Sequence, residues 1–425
     1  MTAWLLLGVL SMTPETIATG LIDDLRAGHA AEAHAKLGAA GRAALTPDAL
    51  LAAWQQAASP LGAWKSTELL RTVQQNGLTV LIHAVHFEKG GLETTTAVDP
   101  KSGKAEGFFI KPLVSSAPIA PAPYVLADAF TSAEVVVGSA PFELPGTVTI
   151  PNGKGPFPAV VLVHGSGPND RDETIGGSKL FKDLAEGLSS RGVIVLRYDK
   201  RTLTHGKEFV GKPITLDEEV IDDALLAVDL LSKRKDVGKI FVAGHSLGAL
   251  LAPEIGSRSK SVAGVVLLAP PSRKPWDVIP QQLRYVGAPE EKVAEVERAF
   301  AAIKKGDVSG GNVLGAPAAY WAEWGKKDGI ATAKKLGKPV LVLRGARDYQ
   351  VNEEDFRAWK VGLAKVPNTA VMSIEKANHV FVEGEGKSMP AEYAQPGHAS
   401  VDVLTRVAAF VTASTAARKN ESKAK

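Results

Sequence analysis

Lys239-Ile240-Phe241-Val242-Ala243-Gly244-His245-Ser246-Leu247-Gly248 decides how the rest of the chain is read. Ile240 to Ala243 is a short apolar run that suits a buried strand, and Ala249-Leu250-Leu251-Ala252 just beyond it reads as a helix. Gly-x-Ser-x-Gly lies between them, so the chain turns sharply at Ser246 and lifts its hydroxyl off the sheet. Gly244 and Gly248 have a physical reason, because bulkier side chains there would collide with the neighbouring strand and helix. In a chain with 41 glycines the pentapeptide alone is a weak signal, and the flanking strand and helix carry the reading.

On either side of this elbow, apolar strands alternate with amphipathic helices. Ala159–Val163 is a strand. Leu180, Phe181, Leu184 and Leu188 mark a helix ending at Gly192, and Val193–Leu196 is the next strand. Thr215-Leu216-Asp217-Glu218 is a capping box opening a helix with Ile221, Leu225 and Val228 inward. After the elbow come Gly264–Leu268 and Pro339–Leu343, again strands. This rhythm means a mostly parallel sheet covered on both faces, with Ala133–Val137 and Gly146–Ile150 as a hairpin in front of it. Between Ala269 and Lys338 the alternation stops, and the insert, about residues 271–336, is expected to be a helical cap over the carboxyl ends of the strands.

The N-terminal part has a different pattern. Thr13-Pro14-Glu15 and Thr46-Pro47-Asp48 each put a Thr N-cap before a first-turn proline, so two helices start there. From Thr79 the period changes to two, and Thr79–Phe87, Leu92–Val98 and Gly107–Ile110 read as an antiparallel meander. Residues 1–112 are therefore expected to form a small α+β domain, 113–130 a proline-rich linker, 131–415 the main α/β domain, and 416–425 a charged tail. His83 and His86 lie three apart on a strand and face opposite sides, a poor metal pair. Met1–Leu10 has the apolar length of a signal-peptide core but neither a basic start nor a clear cleavage site, which leaves both export and the cytoplasm open.

Composition narrows the function. A 45% hydrophobic content suits a globular protein with a large core, and a net charge of +3 without a basic stripe argues against nucleic acid. Zero Cys removes disulfides, thiolate metal sites and a cysteine nucleophile together. His164 and His245 stand singly without ligand spacing, so no metal is expected.

A serine hydroxyl is a weak nucleophile until a base takes its proton, and the base needs an acid to hold its tautomer. Asp348, in Arg344-Gly345-Ala346-Arg347-Asp348-Tyr349, follows a strand and is the candidate acid; Asp199 is the alternative, set among basic neighbours that suggest an ion-pair network. His379 follows the strand-like Val371–Ile374 and is the candidate base, preferred over His398 because a strand-then-loop placement suits that role. The tetrahedral oxyanion needs two backbone donors. Leu247 N–H, next to the nucleophile, is expected to be one; the other is expected from Ser166 N–H, because His164-Gly165-Ser166-Gly167, a loop after a strand, resembles a His-Gly oxyanion motif in which Gly165 allows close approach. That loop lacks the Gly-Lys-Ser/Thr of a phosphate cradle.

His-Gly-Ser-Gly-Pro, Tyr-Asp-Lys-Arg, Gly-His-Ser-Leu-Gly and Gly-Ala-Arg-Asp-Tyr-Gln, in this order over about residues 131–415, together resemble bacterial serine carboxylesterases of the α/β-hydrolase superfamily that carry an extra N-terminal domain. The resemblance implies hydrolysis of a small-molecule ester through an acyl-enzyme, without a cofactor. Thr202 departs from the glycine that often follows Tyr-Asp-Lys-Arg, and Pro253 is expected to kink the helix behind the elbow. A serine peptidase or acyltransferase would use the same triad, and a non-catalytic scaffold would need none of it. The cap's clearest helix is charged, at Glu290, Glu291, Lys292 and Glu295, unlike a lipid-seeking lid. Tyr320, Trp321 and Trp324 are the candidate substrate-binding aromatics, or else rings that only pack the cap; short acyl or aryl esters are expected as substrates.

Overall fold

The computed structural model describes residues 13–75, 77–88, 90–113, 120–209 and 212–421. The signal-like start at 1–12 lies outside them. The chain divides into two compact units, residues 1–118 and 119–425.

In the first unit, α1 (Pro14–Ala27) starts where Thr13 Oγ1 accepts the Thr16 N–H at 3.2 Å and ends at Gly28, whose φ of +84° suits a residue without Cβ. Helices α2 (Ala30–Ala35), α3 (Ala39–Ala44) and α4 (Pro47–Ala58) follow, the last capped by Thr46. Four strands, β1 (Trp64–Gln75), β2 (Leu78–Phe87), β3 (Gly90–Asp99) and β4 (Lys104–Pro112), then form an antiparallel meander in chain order. Ile17 and Ala18 of α1 pack on Leu81 and Val98. His83 is buried on that sheet, where burial pushes its pKa down, whereas His86 is partly exposed beside Glu68.

The second unit is built on eight strands in the order β16-β15-β12-β11-β7-β10-β6-β5. These are β5 (Phe130–Val137), β6 (Leu144–Pro151), β7 (Phe157–Val163), β10 (Ile194–Tyr198), β11 (Val237–His245), β12 (Val262–Leu268), β15 (Val340–Gly345) and β16 (Thr369–Ile374). A two-residue ribbon, β8 (Thr174–Ile175) with β9 (Ser178–Lys179), lies outside the sheet. Strands β5 and β6 form the expected antiparallel hairpin, and β6 pairs antiparallel with β10; every other pairing in this sheet is parallel.

Apolar runs on the central strands are explained by burial from both sides, since alternate residues face opposite layers. Val161, Val163, Val242 and Leu267 join one core, over which lie α7 (Asp222–Ser232) and α8 (Leu247–Arg258). Val160, Leu162, Phe241 and Leu268 join the other, covered by α5 (Leu180–Ser189) and α14 (Val401–Glu421). Each fully buried Val, Leu or Phe contributes about 1.5–3 kcal/mol, so these two layers fix where the strand ends lie. Helix α14 runs on into the stretch read as a charged tail. Helix α8 continues as one element through Pro253.

After β10 the chain makes the short helix α6 (Arg201–Thr204). The capping box at Thr215 forms, with Glu218 N–H on Thr215 Oγ1 at 3.1 Å and Thr215 N–H on Glu218 Oε2 at 2.9 Å. Its first turn, Asp217–Ile221, is wound as a wide π turn, and Glu219 on it is buried. Ile221 and Val228 are buried as expected, while Leu225 is only partly so. The insert after β12 contains α9 (Pro275–Tyr285), α10 (Glu290–Lys304), a ribbon of β13 (Asn312–Val313) with β14 (Ala316–Pro317), α11 (Ala318–Lys326) and α12 (Gly329–Lys335). Helix α13 (Glu353–Leu363) joins β15 to β16.

Candidate active site

Strand β11 ends at His245, and Ser246 is the next residue, with φ +52° and ψ −114°. A non-glycine side chain in that region is strained, and two neighbours hold it there. Ser246 N–H donates to Leu268 O at 2.9 Å, and Ser246 O accepts from Ala249 N–H at 3.0 Å. The tightness of the turn accounts for both glycines. A Cβ on Gly244 would lie 2.1 Å from Gly248 O, and one on Gly248 would lie 2.2 Å from Val163 O.

The loop after β15 carries Asp348, and the loop after β16 carries His379. Asp348 Oδ2 lies 2.7 Å from His379 Nδ1, with both side chains buried. Asp348 Oδ1 accepts the backbone N–H groups of Gln350 at 2.8 Å and Val351 at 2.9 Å, which leaves the carboxylate one orientation. A carboxylate only accepts, so Nδ1 carries the hydrogen and Nε2 presents a lone pair. His245, beside the serine, places its Nε2 3.0 Å from His379 O, and the two rings lie 4.7 Å apart. Thus His379 and the elbow are tied together by the residue preceding Ser246.

The alternative acid and base are engaged elsewhere. Asp199 binds the guanidinium of Arg171 at 3.0 and 3.2 Å and accepts its backbone N–H at 2.8 Å, a salt-bridge network whose partner is a distant arginine rather than the adjacent Lys200 and Arg201. His398 Nδ1 lies 3.0 Å from Asp183 on α5.

The loop after β7 brings Gly165 against the elbow, where an added Cβ would lie 3.3 Å from Ser246 Cβ. Leu247 is the first residue of α8, so its N–H has no helical carbonyl to bind. Among the described residues no acceptor takes the Ser166 N–H. The loop itself is held by Glu173 and by Lys200, which pairs with Glu219; of these only Lys200, within Tyr-Asp-Lys-Arg, entered the sequence reading, and with no role of its own.

Glu173 is buried, with φ +48°, and its Oε1 accepts Gly165 N–H at 2.8 Å. Its Oε2 lies 3.1 Å from His245 Nδ1. Burial opposes both charges, but the imidazolium of His245 holds the Glu173 carboxyl below the usual range, and the carboxylate in turn raises His245. His164 is different: burial dominates and pushes its pKa down, while its Nε2 meets Tyr198 O at 2.6 Å.

Tyr320 and Trp321 of α11 line an open cavity of about 950 Å³, together with Ser166, Thr202, Phe209 and Ile214. Trp324 does not line it and instead stacks on Trp321 with centroids 5.6 Å apart. Tyr320 Oη donates to Glu219 at 2.7 Å and Trp321 Nε1 to Val313 O at 2.8 Å, so each ring's polar atom already has a partner within the protein.

Residues 160–395 match the model of the alpha/beta hydrolase family. The chain is 39% identical over 373 residues to esterase EstD of Thermotoga maritima, covering 87% of this chain and 88% of that protein. Solved structures superpose more loosely. Est1E from Butyrivibrio proteoclasticus is 17% identical with a TM-score of 0.45, covering 67% of this chain and 99% of its own. The Pyrococcus furiosus esterase Pf2001 is 19% identical with a TM-score of 0.44, covering 71% and 97%. Among the described residues no helix is long and apolar enough to cross a membrane. With more than half of the chain matched by the family model, and a relative similar over nearly its whole length, this chain belongs to the alpha/beta hydrolase family.

Proposed function

We propose that the protein is a serine carboxylesterase that cleaves short acyl or aryl esters through an acyl-enzyme. Ser246 attacks the ester carbonyl while His379 Nε2 takes its proton, and the oxyanion that forms is received by the N–H groups of Ser166 and Leu247. Protonated His379 then gives the proton to the departing alkoxide. Water, deprotonated by the same nitrogen, releases the acid and restores the serine. Asp348 holds the tautomer and stabilises the imidazolium throughout. The observation that carries this reading is the 2.7 Å contact of His379 with a doubly anchored Asp348, with His379 O bound by His245, the residue just before a serine at φ +52°.

The resemblance to an enzyme named as an esterase supports an ester substrate. Tyr320 and Trp321 bound an apolar acyl or aryl site, with Trp324 as backing for the Trp321 ring. The two-unit division supports residues 113–130 as the connection between an N-terminal domain and the hydrolase.

The test is a series of nitrophenyl esters of rising acyl length, with fluorophosphonate labelling of the wild type and of Ser246→Ala. Labelling confined to the wild type, and a kcat/KM highest for acetate to butyrate or for aryl esters, is expected. A specificity constant climbing into long chains with activation at an oil–water interface would refute the substrate class. An equal rate on aminoacyl amides would favour a peptidase.

A further inference from the structure

Lys200 is among the larger fully buried side chains of the protein, with 2% of its surface exposed. A buried ammonium is costly unless its hydrogens find acceptors, and these do. Nζ donates to Gly165 O at 2.8 Å and forms an ion pair with Glu219 Oε1 at 2.9 Å. Glu219 is itself buried, and its other oxygen accepts the Tyr320 hydroxyl at 2.7 Å. Thr202 Oγ1 adds a long contact of 3.4 Å to Oε1. The chain of contacts therefore runs from the insert, through a carboxylate and an ammonium, to one peptide group.

That peptide group is the one joining Gly165 to Ser166. Its oxygen is the Lys200 acceptor, and its N–H is the oxyanion donor in the reading proposed above, on which this inference rests. Opposite ends of one amide are coupled by resonance. A cation on the oxygen draws electron density from the nitrogen and makes the N–H a stronger donor, as hydrogen bonds in series do. It also fixes the plane. Asn169 Nδ2 donates to the same oxygen at 3.3 Å, and Gly165 N–H is held by Glu173, so the loop is gripped on both sides of Gly165.

We infer that Lys200, held by Glu219, is a positioning residue that orients and polarises the Gly165–Ser166 peptide, strengthening its N–H toward the oxyanion of the tetrahedral intermediate. Such a residue acts on the transition state and leaves ground-state binding alone. Removing a whole oxyanion donor costs about 10²–10³-fold in kcat; weakening and loosening one is expected to cost about 10–100-fold.

The test removes both charges together, because Lys200→Met alone would strand the Glu219 carboxylate in the interior. In Lys200→Met/Glu219→Gln, Tyr320 keeps an acceptor. The expected result is an unchanged circular dichroism spectrum, a KM for nitrophenyl acetate within about twofold of wild type, and a kcat lower by about 10–100-fold. A trifluoromethyl ketone, which forms a tetrahedral adduct, should lose affinity by the same factor. If the double variant does not fold, Lys200→Gln keeps a neutral donor and is expected to lose kcat at constant KM. Unchanged kcat and unchanged ketone affinity in a folded variant would overturn the inference, as would a loss confined to KM. Failure of the underlying reading looks different: the wild type itself would neither label at Ser246 nor bind the ketone.

Discussion

Replacing Gly248 by alanine tests whether the site depends on the closeness of the elbow to the neighbouring strand. The added Cβ would lie 2.2 Å from Val163 O and 2.6 Å from His164 O. Both are backbone atoms at the end of β7, so no side chain can swing aside. Bringing the first contact only to 3.0 Å requires the start of α8 and the end of β7 to separate by about 0.8 Å, the difference between 3.0 and 2.2 Å. Overpacking of this kind costs about 1–3 kcal/mol of stability. The kinetic cost is larger. The separation lies between Leu247 N–H and the Gly165–Ser166 peptide, and a misplacement of about 1 Å at reacting groups costs about 10²-fold, or about 2.7 kcal/mol of barrier. The assay is kcat/KM on nitrophenyl acetate with denaturant unfolding of the same preparation. Gly310→Ala is the control, because nothing lies within 4 Å of its added Cβ and its φ is ordinary. A Gly248→Ala enzyme with wild-type rate and midpoint would show that the elbow tolerates expansion, and the reasoning from close packing would fail.

Asp348→Asn should lower kcat by about 10³–10⁴-fold with KM changed little, because an amide can donate to Nδ1 and leave the hydrogen on Nε2. A KM effect alone would assign Asp348 to binding. His398→Ala should keep kcat within about threefold while costing about 1–3 kcal/mol, since it strips a partner from buried Asp183 on α5; a rate loss exceeding that of His379→Ala would make His398 the base. Glu173→Gln should destabilise the protein in a pH-dependent way. The carboxyl lies below its ordinary 4.5, so its contribution is complete above that value and lost as the pH falls through the folded pKa. His245 lies above its ordinary 6.5, so its contribution is complete below that value and lost as the pH rises through the folded pKa. The difference in melting temperature between wild type and Glu173→Gln is therefore largest between these two values and shrinks as the pH rises through the folded pKa of His245 or falls through that of Glu173. A pH-independent difference would mean that the pair is neutral.

What could be read from the sequence was set by local chemistry. The alternation of apolar strands and amphipathic helices survives in a linear string because each element must bury its own face, and β7, β10, β11, β12 and β15 begin and end within three residues of their apolar runs. The placement of Ser246, Asp348 and His379 was legible for a related reason: each follows the carboxyl end of a strand, where a parallel sheet gathers side chains. The choice between Asp348 and Asp199 was visible only as a preference, since both follow strands. Arg171, the true partner of Asp199, lies 28 residues away.

The supporting charges were not legible, and the physical reason is that nothing local marks them. Glu173 sits in Asn169-Asp170-Arg171-Asp172-Glu173, a polar stretch that reads as a solvated loop, yet it is the carboxylate that reaches the interior. Its stability there comes from His245, 72 positions later in the chain by subtraction of the two numbers, and from one backbone N–H. Lys200 was read only within Tyr-Asp-Lys-Arg and as a basic neighbour of Asp199, with no role of its own, and Glu219 was not singled out. A pattern of hydropathy scores each of them as surface. What places them inside is closure of the sheet, which brings the loop after β7, the loop after β10 and the π turn before α7 to one spot, where opposite charges satisfy one another. Burial of a charged group is thus a property of the assembled strand ends rather than of any segment, and in this protein Glu173 and Lys200 both hold the backbone of Gly165. The same dependence makes them testable, because a substitution there should change turnover while the strands and helices that the sequence does encode remain in place.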